Sequence, residues 1–425
     1  MSRPPNTLPA IVGQLSRPRH AHWVWWCFLS IGLLACAPAH HPEPPPSTTV
    51  TDNSSSPNTP ATTVASALPP RGTSAFYSER EDAMAWADSV ASRTQLPREW
   101  IRNQVAQARR QAAVIRAVTP TPGGTEKNWA TYRARFVEPL RTQAGLAFWH
   151  QHALTLARAE QQFGVPAALI VGIMGVETFF GKHLGQHRVL DALATLAFDF
   201  PTAHPREPVR SAFFQQELLE FLLLAREQDQ DPTSFRGSYA GAMGWPQFLA
   251  SSWRRYAIDF DRDGRIDLIN NPVDVIGSVA NYFVAFGWKP GMPTHYPVEV
   301  MASPKDLGEL LAPDIVPTFD VNSFVAKGGR VSGDALKHPG PLALVRLENG
   351  FAPPSYIAGT QNFYVVTRYN WSSYYALAVI ELGEHIQAQR ARSSQVAAPN
   401  KSKKNKPAKA QKLRPKPAAQ STRSR

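Results

Sequence analysis

The 425-residue chain predicts a mainly helical, α+β protein in which a long helical body carries a small β-containing section. Three observations support that expectation. From Phe76 onward apolar residues recur at helical spacing, with Trp86, Trp100, Ile101, Val105, Val114, Ile115 and Val118 leading the series. Beyond Gly287 the pattern changes to short β-like runs among Gly and Pro. Both cysteines, Cys27 and Cys36, lie in the first 36 residues, so neither disulfides nor a thiolate zinc site belongs to the design of the body.

Residues 1–22 hold Arg3, Arg17 and Arg19 without an acid, and Trp23 to Ala35 form a 13-residue apolar run. That is short for a bilayer span and fits a signal-peptide core. The run ends Leu33-Leu34-Ala35-Cys36, which resembles the lipobox of bacterial lipoproteins. The resemblance implies cleavage before Cys36 and a lipid on its thiol. Ala37 follows instead of Asp, which by resemblance to sorted lipoproteins points to the outer membrane, facing the periplasm. Pro, Ser and Thr fill 20 of the 36 positions from Ala37 to Gly72, a composition that buries no core and reads as a disordered tether. Its reach is on the order of 100 Å.

The formal charge of +12 invites a nucleic-acid reading until it is mapped. Ten Lys/Arg fall in 401–425 and three in 1–36, leaving 32 basic against 33 acidic residues for the body, a net of −1. No nucleic-acid face is implied. The expected organisation is a signal peptide and lipobox at 1–36, a linker at 37–72, a folded region at 73–390 and a disordered basic tail at 391–425.

Along the body, Phe76 to Val118 reads helical with a break at Leu96-Pro97. Trp129 to Phe136 follows, then a single helix from Leu146 to Phe163 with Phe148, Trp149, Leu154, Leu156 and Ala157 as its buried stripe. Gly164-Val165-Pro166 stops it, and Pro166 starts the next helix, Ala167 to Phe180. Gly172 and Gly175 share nearly one face of that helix, where a neighbour can approach closely. Leu190 to Phe198 and Phe213 to Arg226 are two more helices, Ser238 to Ser252 is a turn-rich loop, and another helix ends over Asn281 to Phe286. Tyr296 to Met301, Leu342 to Leu347 and Asn362 to Thr367 read as strands, and Tyr374 to Ala388 as the last helix.

Glu177 ends a ten-residue run without charge, Ala167 to Val176. An acid entering apolar surroundings is costly unless neutralised, and desolvation raises its pKa into the range of a general acid. The other reading is a helix end whose Glu reaches solvent, and periodicity alone favours it.

Asp259-Phe260-Asp261-Arg262-Asp263-Gly264-Arg265-Ile266-Asp267 matches the first nine positions of an EF-hand loop. Oxygens fall at positions 1, 3 and 5, Gly at 6 permits the sharp turn, and Arg265 occupies the position that offers a main-chain carbonyl. Asn270 replaces the usual bidentate Glu at position 12, and Asp274 is the candidate for the missing carboxylate. Calcium in a structural role is the expectation.

Several motifs then occur in order: Phe148-Trp149, Gly164-Val165-Pro166, Glu177-Thr178, Asp191-Ala192-Leu193-Ala194-Thr195-Leu196, Gly241-Ala242-Met243-Gly244, Gln247-Phe248, Gly277-Ser278-Val279-Ala280-Asn281-Tyr282 and Arg368-Tyr369-Asn370. The series resembles the membrane-bound lytic murein transglycosylase B family over roughly residues 75–388. The resemblance implies a lysozyme-like helical core with added α and β domains, a cleft between them and one calcium ion. It implies cleavage of the β-1,4 bond between N-acetylmuramic acid and N-acetylglucosamine in peptidoglycan, leaving a 1,6-anhydro end.

By motif match Glu177 is the acid and then the base, and Ser238 and Gln247 line the cleft. Tyr282, Asn370, Tyr375 and Tyr132 match substrate-binding positions, and Asp259, Asp261, Asp263, Arg265 and Asp274 match the metal site. A monomer held at the membrane through Cys36 and acting on peptidoglycan is the implied state. Pro246 and Ala250 depart from the family's usual loop, as do Thr202-Ala203 and the insertion His204 to Val209 where an arginine pair is usual. Arg206 and Arg210 are the candidate substitutes. The loop after Asp267 is one residue longer than in the family, which weakens Asp274 as a ligand. The rival readings are a non-catalytic peptidoglycan-binding scaffold and a hydrolytic muramidase, which needs a second carboxylate.

Overall fold

The computed structural model describes residues 74–120 and 127–397. Cys36, the 37–72 linker and the basic residues from 401 onward lie outside the described residues.

Ala167–Thr178 is apolar around its whole circumference, and all its residues are buried, so it forms the central helix. Gly164, left-handed at φ 66°, closes the preceding helix, and Pro166 caps the new one. The long helix Ser373–Ala397 crosses the central helix at very short range. A Cβ on Gly172 would stand 2.2 Å from the Val379 carbonyl oxygen, and one on Gly383 would stand 2.0 Å from that of Ala168. Gly172 therefore serves backbone-to-backbone packing, whereas Gly175 makes room for the Leu382 and Phe180 side chains. Pro139–Gln151 packs against both helices, and Ala153–Phe163 lies between the central helix and Pro272–Ala285.

A second group of helices, Val189–Phe198, Glu207–Glu227 and Ala250–Tyr256, packs in series. The N-terminal helices Glu81–Arg93, Arg98–Ala106 and Ala112–Val118 join this side, partly through the buried Arg80 guanidinium. It pairs with Asp82 at 2.7 Å and Asp199 at 3.1 Å. The β section holds a three-stranded antiparallel sheet in the order His295–Pro297, Ala352–Gly359, Ala343–Asn349. It has its own small core of Leu310, Phe324, Leu342, Leu344 and Ala358.

Four local readings of the sequence are corrected. The expected helix Leu146 to Phe163 is two helices, Pro139–Gln151 and Ala153–Phe163, broken at His152. The buried face keeps its helical spacing across the break, through Gly145, Phe148, Trp149, Leu156 and Ala159, whereas Leu154, 89 % exposed, and Ala157 lie on the opposite side and face solvent. Asn362 to Thr367 is helical, not a strand: Thr360 caps Gln361–Thr367 by accepting from Asn362 N at 3.1 Å. The buried Asn362 amide meanwhile bridges Lys289 and Met292, so tertiary contacts override the strand preference of Val365 and Val366. The last helix continues to Ala397, and the Glu177 helix stops at Thr178 rather than Phe180.

Gly172→Ala should force a methyl against the Val379 carbonyl and lower stability by about 1–3 kcal/mol, the usual cost of overpacking. Thermal melting reads this as a drop of several degrees. The control Gly308→Ala, in a helix with open space at its Cβ position, should melt at or above wild type.

Candidate active site

Glu177 is the penultimate residue of the central helix. The chain leaves through two consecutive non-glycine residues in the left-handed region, Phe179 at φ 52° and Phe180 at φ 58°. Such backbone costs roughly 1–3 kcal/mol per residue and persists only where its surroundings impose it. Here Phe180 N donates to Met174 O at 2.9 Å. Thr178 Oγ1 donates to Trp245 O at 3.1 Å and accepts from Gly181 N at 3.0 Å. Arg141 donates Nη1 to Gly175 O at 3.2 Å and lays its guanidinium 4.8 Å from the centre of the Phe179 ring. The exit is held from three sides.

The Glu177 residue is 4 % exposed. Its Oε1 accepts a hydrogen bond from the Tyr375 hydroxyl, whereas its buried Oε2 has no partner among the described residues. Burial pushes the carboxyl up to about 8, against the Tyr375 bond, which favours the charged form. Among the described residues no neighbouring carboxylate contributes to that shift. Burial, and next the charge of Glu177, push the Tyr375 hydroxyl well above the usual phenol range, so it stays a donor. With Oε1 taken, the carboxyl proton belongs on Oε2.

Tyrosines surround this pair. Burial first and Glu177 second push Tyr132 up to about 12, which puts its hydroxyl within the field of the acid. Its ring packs with Trp129, Phe136 and Tyr374 at centroid distances of 6.4, 5.2 and 5.8 Å. Tyr369 stacks on Tyr375 at 6.4 Å and donates its hydroxyl to Pro246 O at 2.6 Å. Tyr282 is 3 % exposed, lies 4.8 Å from the Tyr369 ring and donates to Arg368 O at 2.7 Å. Its hydroxyl is thus spent on the backbone that carries Asn370, which is itself half-buried. Trp129, Tyr369 and Tyr374 were not singled out as site residues from sequence. Only the position of Tyr369 between Arg368 and Asn370 in a matched motif signalled it.

The Ser238–Phe248 segment folds back on itself. Ser238 N donates to Ala242 O at 2.8 Å, Ser238 Oγ accepts from Ala242 N at 3.1 Å, and Met243 pairs with Phe248. Gln247 adopts φ 49° and is buried, its amide donating to Gly244 O at 2.9 Å and Leu184 O at 3.2 Å. Of the two candidate substitutes for the arginine pair, Arg206 is exposed and Arg210 is buried with its guanidinium 5.1 Å from the Phe214 ring centre.

In the acidic loop, Asp259, Asp261 and Asp263 each bring a carboxylate oxygen within 4.8 Å of the others. Gly264 makes the turn at φ 91°. Three hard oxygens on a tight turn suit a calcium ion. Asp274 stands apart from this cluster. It is fully buried, and its two oxygens accept from Phe260 N at 2.7 Å and Asp267 N at 2.9 Å, stapling the flanks of the loop. Arg265 N donates to Asp263 Oδ1 at 2.9 Å.

A central apolar helix ending in a buried acid, packed beside a β section and an acidic loop, is an architecture with known relatives. The family described as the transglycosylase SLT domain matches residues 79–384, and the chain belongs to it, as a peptidoglycan lytic transglycosylase with a lysozyme-like helical fold. It is 39% identical over 318 residues to the membrane-bound lytic murein transglycosylase B of Escherichia coli strain K12, covering 73% of this chain and 84% of that one. The soluble lytic transglycosylase SltB1 of Pseudomonas aeruginosa superposes with a TM-score of 0.64 at 40% identity, over 73% of this chain and 99% of that one. The Escherichia coli lytic transglycosylase Slt35 in complex with calcium gives 0.62 at 38%, over 73% and 93%.

The raised Glu177 carboxyl has a sign-definite effect on stability. Between the ordinary value of 4.5 and about 8 the folded chain keeps a proton that the unfolded chain releases, so stability falls as pH rises through that window. Glu177→Gln should therefore gain in melting temperature relative to wild type as pH climbs from 4.5 to 8. A difference that stays flat across this range would contradict the burial of the acid.

Proposed function

We propose that Glu177 is the single acid–base catalyst of a lytic cleavage of the β-1,4 bond between N-acetylmuramic acid and N-acetylglucosamine. The observation that carries this reading is a buried carboxyl with one oxygen fixed by Tyr375 and, among the described residues, no partner for the other and no second carboxylate acting on it. Water-using glycosidases need a second carboxylate as base or nucleophile. With the muramoyl C6 hydroxyl as nucleophile, one group serves twice.

In this scheme Glu177 Oε2 delivers its proton to the glycosidic oxygen as the C1–O bond breaks. The C6 oxygen then closes on C1, and its proton passes to the same carboxylate, which restores the acid. The products are a 1,6-anhydro-muramoyl end and a free N-acetylglucosamine hydroxyl, with no water consumed. Burial keeps Glu177 protonated at neutral pH for the first step. Tyr375 holds Oε1, so the proton faces the substrate, and its bond to the charged form supports the carboxylate between the two steps. Ser238, Gln247, Asn370 and Tyr132 are the proposed sugar contacts, with Tyr282 supporting the Asn370 segment through Arg368.

The same reading assigns 73–390 as the catalytic region, tethered through 37–72 to a lipid on Cys36 at the periplasmic face of the outer membrane. The membrane-bound relative supports the membrane association in this reading. A calcium ion would be held by Asp259, Asp261 and Asp263, with the Arg265 carbonyl, where its charge offsets the mutual repulsion of the three carboxylates.

Digestion of purified sacculi and mass analysis of the released muropeptides tests the reaction. Anhydro ends, lighter by one water than reducing ends, are expected. Reducing ends would indicate a muramidase, and binding without release a scaffold. Glu177→Gln should lower release by about 10²-fold or more with the fold intact.

For the metal, calcium added to chelator-stripped protein should raise the melting temperature by several degrees, and Asp261→Asn should abolish most of that gain. An unchanged melting curve in wild type would remove calcium from the scheme.

A further inference from the structure

Trp245 lies between the acidic loop and the exit of the Glu177 helix, and it is bonded to both. On the loop side its backbone N–H donates to Leu268 O at 2.9 Å and its indole Nε1–H to Ile269 O at 2.9 Å. On the helix side its carbonyl accepts from Thr178 Oγ1 at 3.1 Å, one residue from Glu177. The indole also closes on the exit turn. A Cβ on Gly181, which adopts φ 81°, would stand 2.4 Å from Trp245 Cε2. The fit is tight enough that a shift of the ring is felt by the turn.

The carbonyls that Trp245 grips belong to a stiff stretch of the loop. Asp267 Oδ1 accepts from both Ile269 N and Asn270 N at 2.8 Å, and Asp267 N is itself held by Asp274 at 2.9 Å. The upstream half of the loop carries the three crowded carboxylates. Without a cation these repel one another and loosen the loop, whereas a divalent cation draws them together. Leu268 and Ile269 then become a fixed anchor for Trp245.

We propose that Trp245 is a positioning residue through which a divalent cation in the acidic loop stiffens the exit of the catalytic helix, keeping Glu177 at its packed position. The consequence for catalysis rests on the reading of Glu177 as the acid–base group, but the mechanical link does not. The left-handed turn at Phe179 and Phe180 is where such stiffening matters, because strained backbone relaxes once its restraints slacken.

Hydrogen exchange with mass readout on the full chain, stripped with chelator and then given calcium, tests the link without turnover. In wild type, calcium should slow exchange in the loop 259–270 and, in the same experiment, at 176–183 by about fivefold or more. Trp245→Phe keeps a ring against Gly181 but loses the bond to Ile269. It should retain protection of the loop and lose part of that at 176–183, and Trp245→Ala should lose most of it. Should Trp245→Ala not fold, Trp245→Phe carries the test. The proposal is overturned if calcium leaves 176–183 unprotected in wild type, or if the folded variants keep full protection there. Either result is separate from the muropeptide outcome: anhydro products with an uncoupled exit reject only the link, and a coupled exit without anhydro products rejects only the catalytic reading.

Discussion

Glu177 Oε2 sits in the interior without a hydrogen bond, a condition that costs free energy and that only close packing on all sides maintains. The molecule supplies that packing at short range. The central helix carries no other charge, so nothing along its length draws water towards the acid. The long C-terminal helix meets it at glycine contacts too tight for any side chain and delivers Tyr375 to the one carboxyl oxygen that is satisfied. Displace either helix, and the acid becomes hydrated and ionises at ordinary pH.

The same constraint explains why the chain turns so abruptly after Thr178. An α-helix continued through Phe179 and Phe180 would carry both rings onward along the helix axis. The left-handed exit instead sends Phe180 back towards Gly175 and Phe148 and leaves Phe179 under the Arg141 guanidinium. Backbone strain is thereby exchanged for aromatic burial and a cation–π contact. Arg141 belongs to this arrangement rather than to the acid itself: it bonds a helix-end carbonyl, where a cation is favoured, and does not figure in the shift of Glu177.

Much of this was legible in the sequence, for identifiable reasons. The apolar run before Glu177 and the Asp-x-Asp-x-Asp-Gly spacing are local signals. The loop turns at Gly264 as that spacing requires, but the helix-end reading that periodicity favours, a Glu177 reaching solvent, is overturned, because the fold buries the acid. The lost readings depend on distant partners. Nothing near Asn362 announces that Lys289 and Met292 will bind its amide and stabilise a helix where Val365 and Val366 favour a strand. The break at His152 comes without Gly or Pro and so leaves no local signal, and Leu154 and Ala157 fall outside the face that Phe148, Leu156 and Ala159 share across it. Tyr375, nearly two hundred positions from Glu177 in sequence, was reachable only by family resemblance. Trp245 gave no signal at all, since its partners at Leu268, Ile269, Thr178 and Gly181 meet only in the fold.

A raised carboxyl alone does not mark a catalytic group, as a second buried acid in the same molecule demonstrates. Glu217 is 2 % exposed, and burial pushes it up to about 7. Its oxygens, however, are both engaged: Oε1 accepts from Ser251 Oγ at 2.6 Å and Oε2 from Ser251 N at 3.2 Å. Ser251 N lies in the first turn of Ala250–Tyr256, where backbone donors lack helical partners, and Leu249 offers no side-chain cap. Glu217 therefore supplies that cap from a neighbouring helix, and any proton it takes must sit on an oxygen already engaged by Ser251. Glu177 differs in one atom. Its Oε1 is held and its Oε2 is left without a partner, so a proton can leave and return there without breaking any contact the fold depends on. That asymmetry, rather than the size of the shift, is what separates an acid that holds the structure from one that is free to react.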